Sequence, residues 1–82
     1  MRAEIQVRYF AAAAEATGVE SESVSVESAT LGALQDALLE RYGEPMRRIL
    51  RSGSFLVGGV VRRDRDRALT ATVDVLPPFA GG

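Results

Sequence analysis

The residues best placed to do chemistry form the C-terminal run Leu76-Pro77-Pro78-Phe79-Ala80-Gly81-Gly82. Neither proline can donate to a β ladder and both hold φ near the polyproline value, so the pair ends a strand and starts a stiff arm. Gly81 and Gly82 then make a thread without side-chain bulk, able to enter a narrow channel and present the Gly82 carboxylate to another protein's active site. A carboxylate is a poor acyl donor until it is activated, normally as a mixed anhydride with AMP formed from ATP, after which a nucleophile displaces the nucleotide. If the nucleophile is a sulfide equivalent, the product is a thiocarboxylate, ionised near neutral pH and able to pass sulfur onward. A bare Gly-Gly would also suit a frayed end. The Pro-Pro-Phe-Ala preceding it favours the chemical reading.

Composition narrows what else the chain can do. Its 82 residues, 46% apolar and 26% charged, suit one soluble globular domain. A chain this short buries about 60 to 70% of its unfolded surface, so a catalytic cleft would compete with the core for the same side chains. Cysteine and histidine are both absent, which excludes disulfides, thiolate nucleophiles, the usual metal ligands and the imidazole base. No metal and no resident cofactor are expected. No run approaches the roughly 20 apolar residues that span a bilayer, and the N-terminus lacks the order of a signal peptide. The cytoplasm is the expected location, with no membrane partner.

The net charge of −1 hides an asymmetry: residues 1–40 carry −5 and residues 41–67 carry +5. Every cation is arginine, so no side chain can accept an isopeptide bond. The arginines of 41–67 lack aromatic interleaving or a binding motif, which argues against nucleic acid and for a solvated face. A second reading has some of them meet an acidic surface on the enzyme that activates the tail.

These features need a scaffold, and the patterning supplies one. Glu4–Tyr9 and Ser23–Glu27 alternate with period two, as half-buried strands do. Between them Ala11–Ala16, closed by Gly18, suits a short helix. Thr30 is a candidate N-cap for a main helix whose Leu31, Leu34, Leu38 and Tyr42 share one face, with Gly43 as the stop. Pro45 opens a further turn over Met46–Arg51, with Met46, Ile49 and Leu50 on one side, that extends the main helix's packing. Ser54–Val57, Gly58-Gly59 and Val60-Val61 read as a hairpin, Arg62–Arg67 as a solvated loop, and Thr72–Leu76 as the last strand. The result is an α+β domain over residues 1–76, one sheet packed on one amphipathic helix, followed by a flexible arm at 77–82. The expected core is Ile5, Val7, Val24, Val26, Leu31, Leu34, Leu38, Phe55, Val57, Leu69, Val73 and Val75. Leu76 should point away from Val73 and Val75 and, with Phe79, leave an apolar docking patch near the arm.

Val7-Arg8-Tyr9-Phe10-Ala11 near the start and Val75-Leu76-Pro77-Pro78-Phe79-Ala80-Gly81-Gly82 at the end resemble the small-subunit family of molybdopterin synthase, ubiquitin-like sulfur carriers, along the whole chain. The resemblance implies a β-grasp fold with a mixed sheet packed on one main helix. It implies that an E1-like adenylyltransferase/sulfurtransferase activates Gly82 with ATP as an acyl-adenylate and converts it to a thiocarboxylate. The tail then enters the large synthase subunit and gives sulfur to cyclic pyranopterin monophosphate. In that scheme Gly81 and Gly82 are the reactive tail, and Leu76, Pro77, Pro78, Phe79 and Ala80 contact the large subunit of an enzyme in which this chain is the non-catalytic carrier. The sequence departs from its relatives in two turns: Leu69 runs directly into Thr70-Ala71-Thr72 where a Gly-Asp turn is usual, and Gly58-Gly59 stands where Asn-Gly or Asp-Gly is more familiar. Carriers that serve thiamine thiazole or cysteine synthesis share the tail, as do modifiers that join it to lysines of target proteins. An interaction module with an inert tail is the third reading.

Overall fold

The computed structural model describes residues 2–69 and 72–77. Its elements run β1 (Ala3–Tyr9), α1 (Ala12–Thr17), β2 (Ser21–Val26), α2 (Leu31–Tyr42), α3 (Glu44–Ser52), β3 (Ser54–Val57), β4 (Val60–Arg62) and β5 (Thr72–Leu76). The strands form one sheet in the order β2-β1-β5-β3-β4, with β1 and β5 parallel and the other neighbours antiparallel. The last strand is therefore the central one, flanked by the first and by the hairpin.

Period-two alternation puts Ile5, Val7 and Tyr9 of β1, Val24 and Val26 of β2, Phe55 and Val57 of β3, and Val73 and Val75 of β5 into one core. Leu31, Leu34 and Leu38 of α2 close over them, and all twelve expected core residues are buried. Tyr9, Ala13, Met46 and Ile49 join them. Residues Phe10–Ala13 make the turn into α1, closed by the Ala13 N–H on the Phe10 carbonyl at 3.0 Å. Ala11 there has φ 52° and ψ −121°, a conformation that suits glycine.

The expected extra turn after the main helix is a separate nine-residue helix. Gly43, at φ 74°, breaks the path, and α3 packs on both α1 and α2, so three helices cover the sheet's inner face. Gly58 and Gly59 have φ 61° and 80°, the positive values that a two-residue hairpin turn of the favoured hand requires. The Arg62–Arg67 segment departs from a purely solvated loop. Arg62 belongs to β4, and the carbonyls of Arg67 and Arg65 accept the Leu31 and Gly32 N–H groups at 3.0 and 2.7 Å. With the Thr30 hydroxyl accepting from Ala33 N–H at 3.2 Å, three of the orphan donors at the start of α2 are satisfied by side chain or loop.

Candidate functional site

The site is the place where the chain leaves the sheet. β5 lies between β1 and β3, with Tyr9 opposite Val75 on one side and Ser54 opposite Leu76 on the other. The Phe10 N–H donates to the Val75 carbonyl at 3.2 Å, extending the ladder to the strand's end. Gly53, buried between α3 and β3, lies so close to β5 that an added Cβ would fall on the Leu76 carbonyl oxygen and 2.6 Å from that of Ile49. Its φ of −82° is open to any residue, so proximity and not backbone conformation selects glycine here. Pairing on both sides and this contact fix Leu76 in place at the end of β5.

Of the expected site residues, Leu76 ends β5 and Pro77 follows it, both half-buried. Leu76 shares its side of the strand with Asp74, opposite Val73 and Val75, as the alternation requires. Pro78, Phe79, Ala80, Gly81 and Gly82 lie outside the described residues, as do Thr70 and Ala71 in the turn before β5.

Sequence reading missed what surrounds the exit. Asp74 is 9% exposed and is the buried charged residue among those described. It sits opposite Arg8 in the parallel pairing, and the Arg8 guanidinium grips it with two of its nitrogens, Nε to Oδ1 at 2.6 Å and Nη2 to Oδ2 at 2.8 Å. The hydrogen bonds and the charge of Asp74 raise the guanidinium's pKa further. Arg8 also lies over the Phe10 ring, 5.9 Å from its centroid, and Phe10 is 41% exposed. Leu56 opposite Asp74 and the exposed Val61 opposite Leu56 continue the same face. The signal was available: Arg8 and Asp74 occupy outward parity in two strands, and only their being neighbours was hidden. Chemically, this end offers a strand end held on both sides, a two-point ion pair and an apolar rim. Among the described residues no group of three or more carboxylates, cysteines or histidines is placed to hold a metal.

No curated protein matches the chain significantly. Among solved structures it is similar to the Haloferax volcanii HVO 2177 protein, at 28% identity over 99% of this chain and 88% of that one, with a TM-score of 0.76. It shares its fold with small archaeal modifier protein 1 of Methanosarcina acetivorans, at 21% identity over 100% and 99% of the two chains, with a TM-score of 0.79. The same modifier from Haloferax volcanii gives 24% identity over 98% and 100%, with a TM-score of 0.74. These likenesses bear out the β-grasp expectation. Residues 7–82 match the ThiS family along both segments that carried the sequence resemblance, and the chain belongs to that family of ubiquitin-like sulfur carriers.

Proposed function

We propose that this chain carries sulfur as the thiocarboxylate of Gly82 and works as the small subunit of molybdopterin synthase. The Gly82 carboxylate attacks the α-phosphate of ATP on an E1-like enzyme and releases pyrophosphate. A sulfide equivalent then displaces AMP from the acyl-adenylate. The thiocarboxylate enters the large synthase subunit and donates its sulfur to cyclic pyranopterin monophosphate, and the tail returns as a carboxylate for recharging. Carriers of this type work with E1-like activating enzymes and partner subunits in general. One observation carries the reading: the family match runs through residue 82 and so includes the Gly-Gly end. The Pro77-Pro78-Phe79 arm favours the pterin pathway among those that share the chemistry.

A second reading, a protein modifier, is favoured by the fold shared with two solved modifier proteins. It needs the same adenylate but an amine nucleophile. Intact-mass spectrometry after incubation with the E1-like enzyme, ATP and sulfide separates the cases. One oxygen replaced by sulfur at the C-terminus is expected, and an unchanged mass with a competent enzyme would sink the carrier reading. Adding the large subunit and the pterin precursor then tests the pathway. Gly-Gly remnants on cellular lysines, traced to this chain, would favour the modifier instead.

A further inference from the structure

The two edges of the sheet differ. β4 is three residues long and ends on Arg62, with Arg63 next, and a short charged strand is blunted against further pairing. β2 is six residues long and carries no lysine, arginine or proline, and its register against β1 runs from Ser21 to Val26 without a bulge. Its one charged residue, Glu22, has its carboxylate taken up by the hydroxyls of Tyr9 and Tyr42. In an antiparallel ladder, pairs that exchange both backbone bonds alternate with pairs that exchange none. The Tyr9 N–H donates to the Glu20 carbonyl at 2.8 Å, so Glu20, Glu22, Val24 and Val26 are the residues bonded to β1. Ser21, Ser23 and Ser25 therefore turn their N–H and C=O groups to the free edge, and all three are exposed. Beside that edge runs a groove of about 720 Å³ between β2 and α2. Val24 and Val26 line one wall, and Ala33 and Ala37, neighbours on one face of α2, line the other with small side chains that leave the space open. Of its charged groups, Asp36 is held by Arg65 and Arg41 by Glu22, which leaves Glu27 and Glu40 against Arg2 among the described residues.

We propose that this edge and groove dock an extended segment of a partner protein as a further strand beside β2, with aliphatic side chains at alternate positions over Ala33 and Ala37 and a basic side chain against Glu40. An extended backbone is the ligand whose donors and acceptors recur at the two-residue spacing of Ser21, Ser23 and Ser25, about 7 Å. The excess of free carboxylate in the groove disfavours an acidic segment. It also disfavours a second copy of this chain, which would bring another acidic groove to the same edge. β1 lies between β2 and β5, so docking leaves the end of β5 uncovered, and the inference stands apart from the carrier reading.

The test is an NMR titration of the isotope-labelled full chain with short, end-capped peptides of alternating valine and threonine that carry lysine, no charge or glutamate at one end. The lysine peptide should shift the amide signals of Ser21, Ser23, Ser25, Ala33 and Ala37, and slow solvent exchange of the three serine N–H groups by about ten-fold or more. Glu40→Gln should weaken the lysine peptide by about two- to five-fold, an effect that salt erases. Ser23→Pro removes one free-edge donor at a position where an edge strand tolerates proline, and Ala37→Leu fills the groove; each should abolish binding. Circular dichroism verifies folding, and the two variants block the site independently, so either suffices if the other does not fold. Unmoved serine amides with every peptide would overturn the proposal, as would shifts confined to β4. A glutamate peptide bound as tightly as the lysine one would overturn the basic occupant. Protection of the same serines that rises with protein concentration in the absence of peptide, with a doubled mass in sedimentation, would overturn the partner segment and give the edge to a second copy.

Discussion

Single residues at the tail exit are constrained by geometry more than by charge. Arg8 is half exposed, so solvent screening leaves its grip on Asp74 little net energy. Its effect is to orient the face from which Leu76 departs. Gly53 is the tighter constraint. Gly53→Ala should destabilise by about 1–3 kcal/mol, read as a shift in the denaturation midpoint, because both clashing atoms are backbone. A midpoint equal to wild type would mean that α3 and β5 part freely. Ala11 shows the opposite case, an L-residue in a conformation that suits glycine. Ala11→Gly should stabilise by on the order of 1 kcal/mol by releasing that strain, offset in part by the freedom it gives the unfolded chain.

At the scale of elements, two ties hold the helices to the sheet. The first joins α2 to the loop before β5. Thr30→Ala removes the hydroxyl that accepts from Ala33 and should lower stability by about 1 kcal/mol in urea denaturation. The second joins β1, β2 and the end of α2 through Glu22, whose carboxylate accepts from the hydroxyls of Tyr9 and Tyr42, with Arg41 3.5 Å away. The two rings meet edge to face with centroids 6.4 Å apart. Burial, and then the adjacent carboxylate, push both phenols above their ordinary value of 10.0. The unfolded chain therefore releases phenolic protons near pH 10 that the folded chain keeps. The tie is fully present below that pH and is lost as pH rises through it, by at most about 1.4 kcal/mol per pH unit for each phenol. Unfolding followed from pH 8 to 11 should show this decline, and Tyr9→Phe should flatten it. A wild-type stability independent of pH across that range would refute the tie.

For the whole molecule, the core and the proposed chemistry occupy separate stretches of chain. Every core side chain lies between Ile5 and Val75, while the proposed chemistry belongs to Gly82. Deleting Gly82 should abolish sulfur loading in the mass spectrum and leave the denaturation midpoint within about 0.5 kcal/mol of wild type, the range for changes away from the core. Sulfur appearing on the shortened chain would refute the assignment.

The sequence alone determined the local elements, because periodicity, caps and turn residues act within a few positions: Thr30 caps α2, Gly18 and Gly43 end helices, and Gly58-Gly59 turns the hairpin. It also determined the whole expected core, since burial follows from alternation once a face is chosen. The Gly-Gly end, the carrier chemistry it suggests and the family resemblance were legible there too. Tertiary structure decided what depends on neighbours distant in sequence. Insertion of β5 between β1 and β3 pairs Arg8 with Asp74 across 66 positions and brings Gly53 against Leu76. Loop carbonyls at Arg65 and Arg67 complete a helix start more than thirty residues earlier. Local propensity carries no record of strand order, which is set by how one sheet can bury its apolar face beneath three helices.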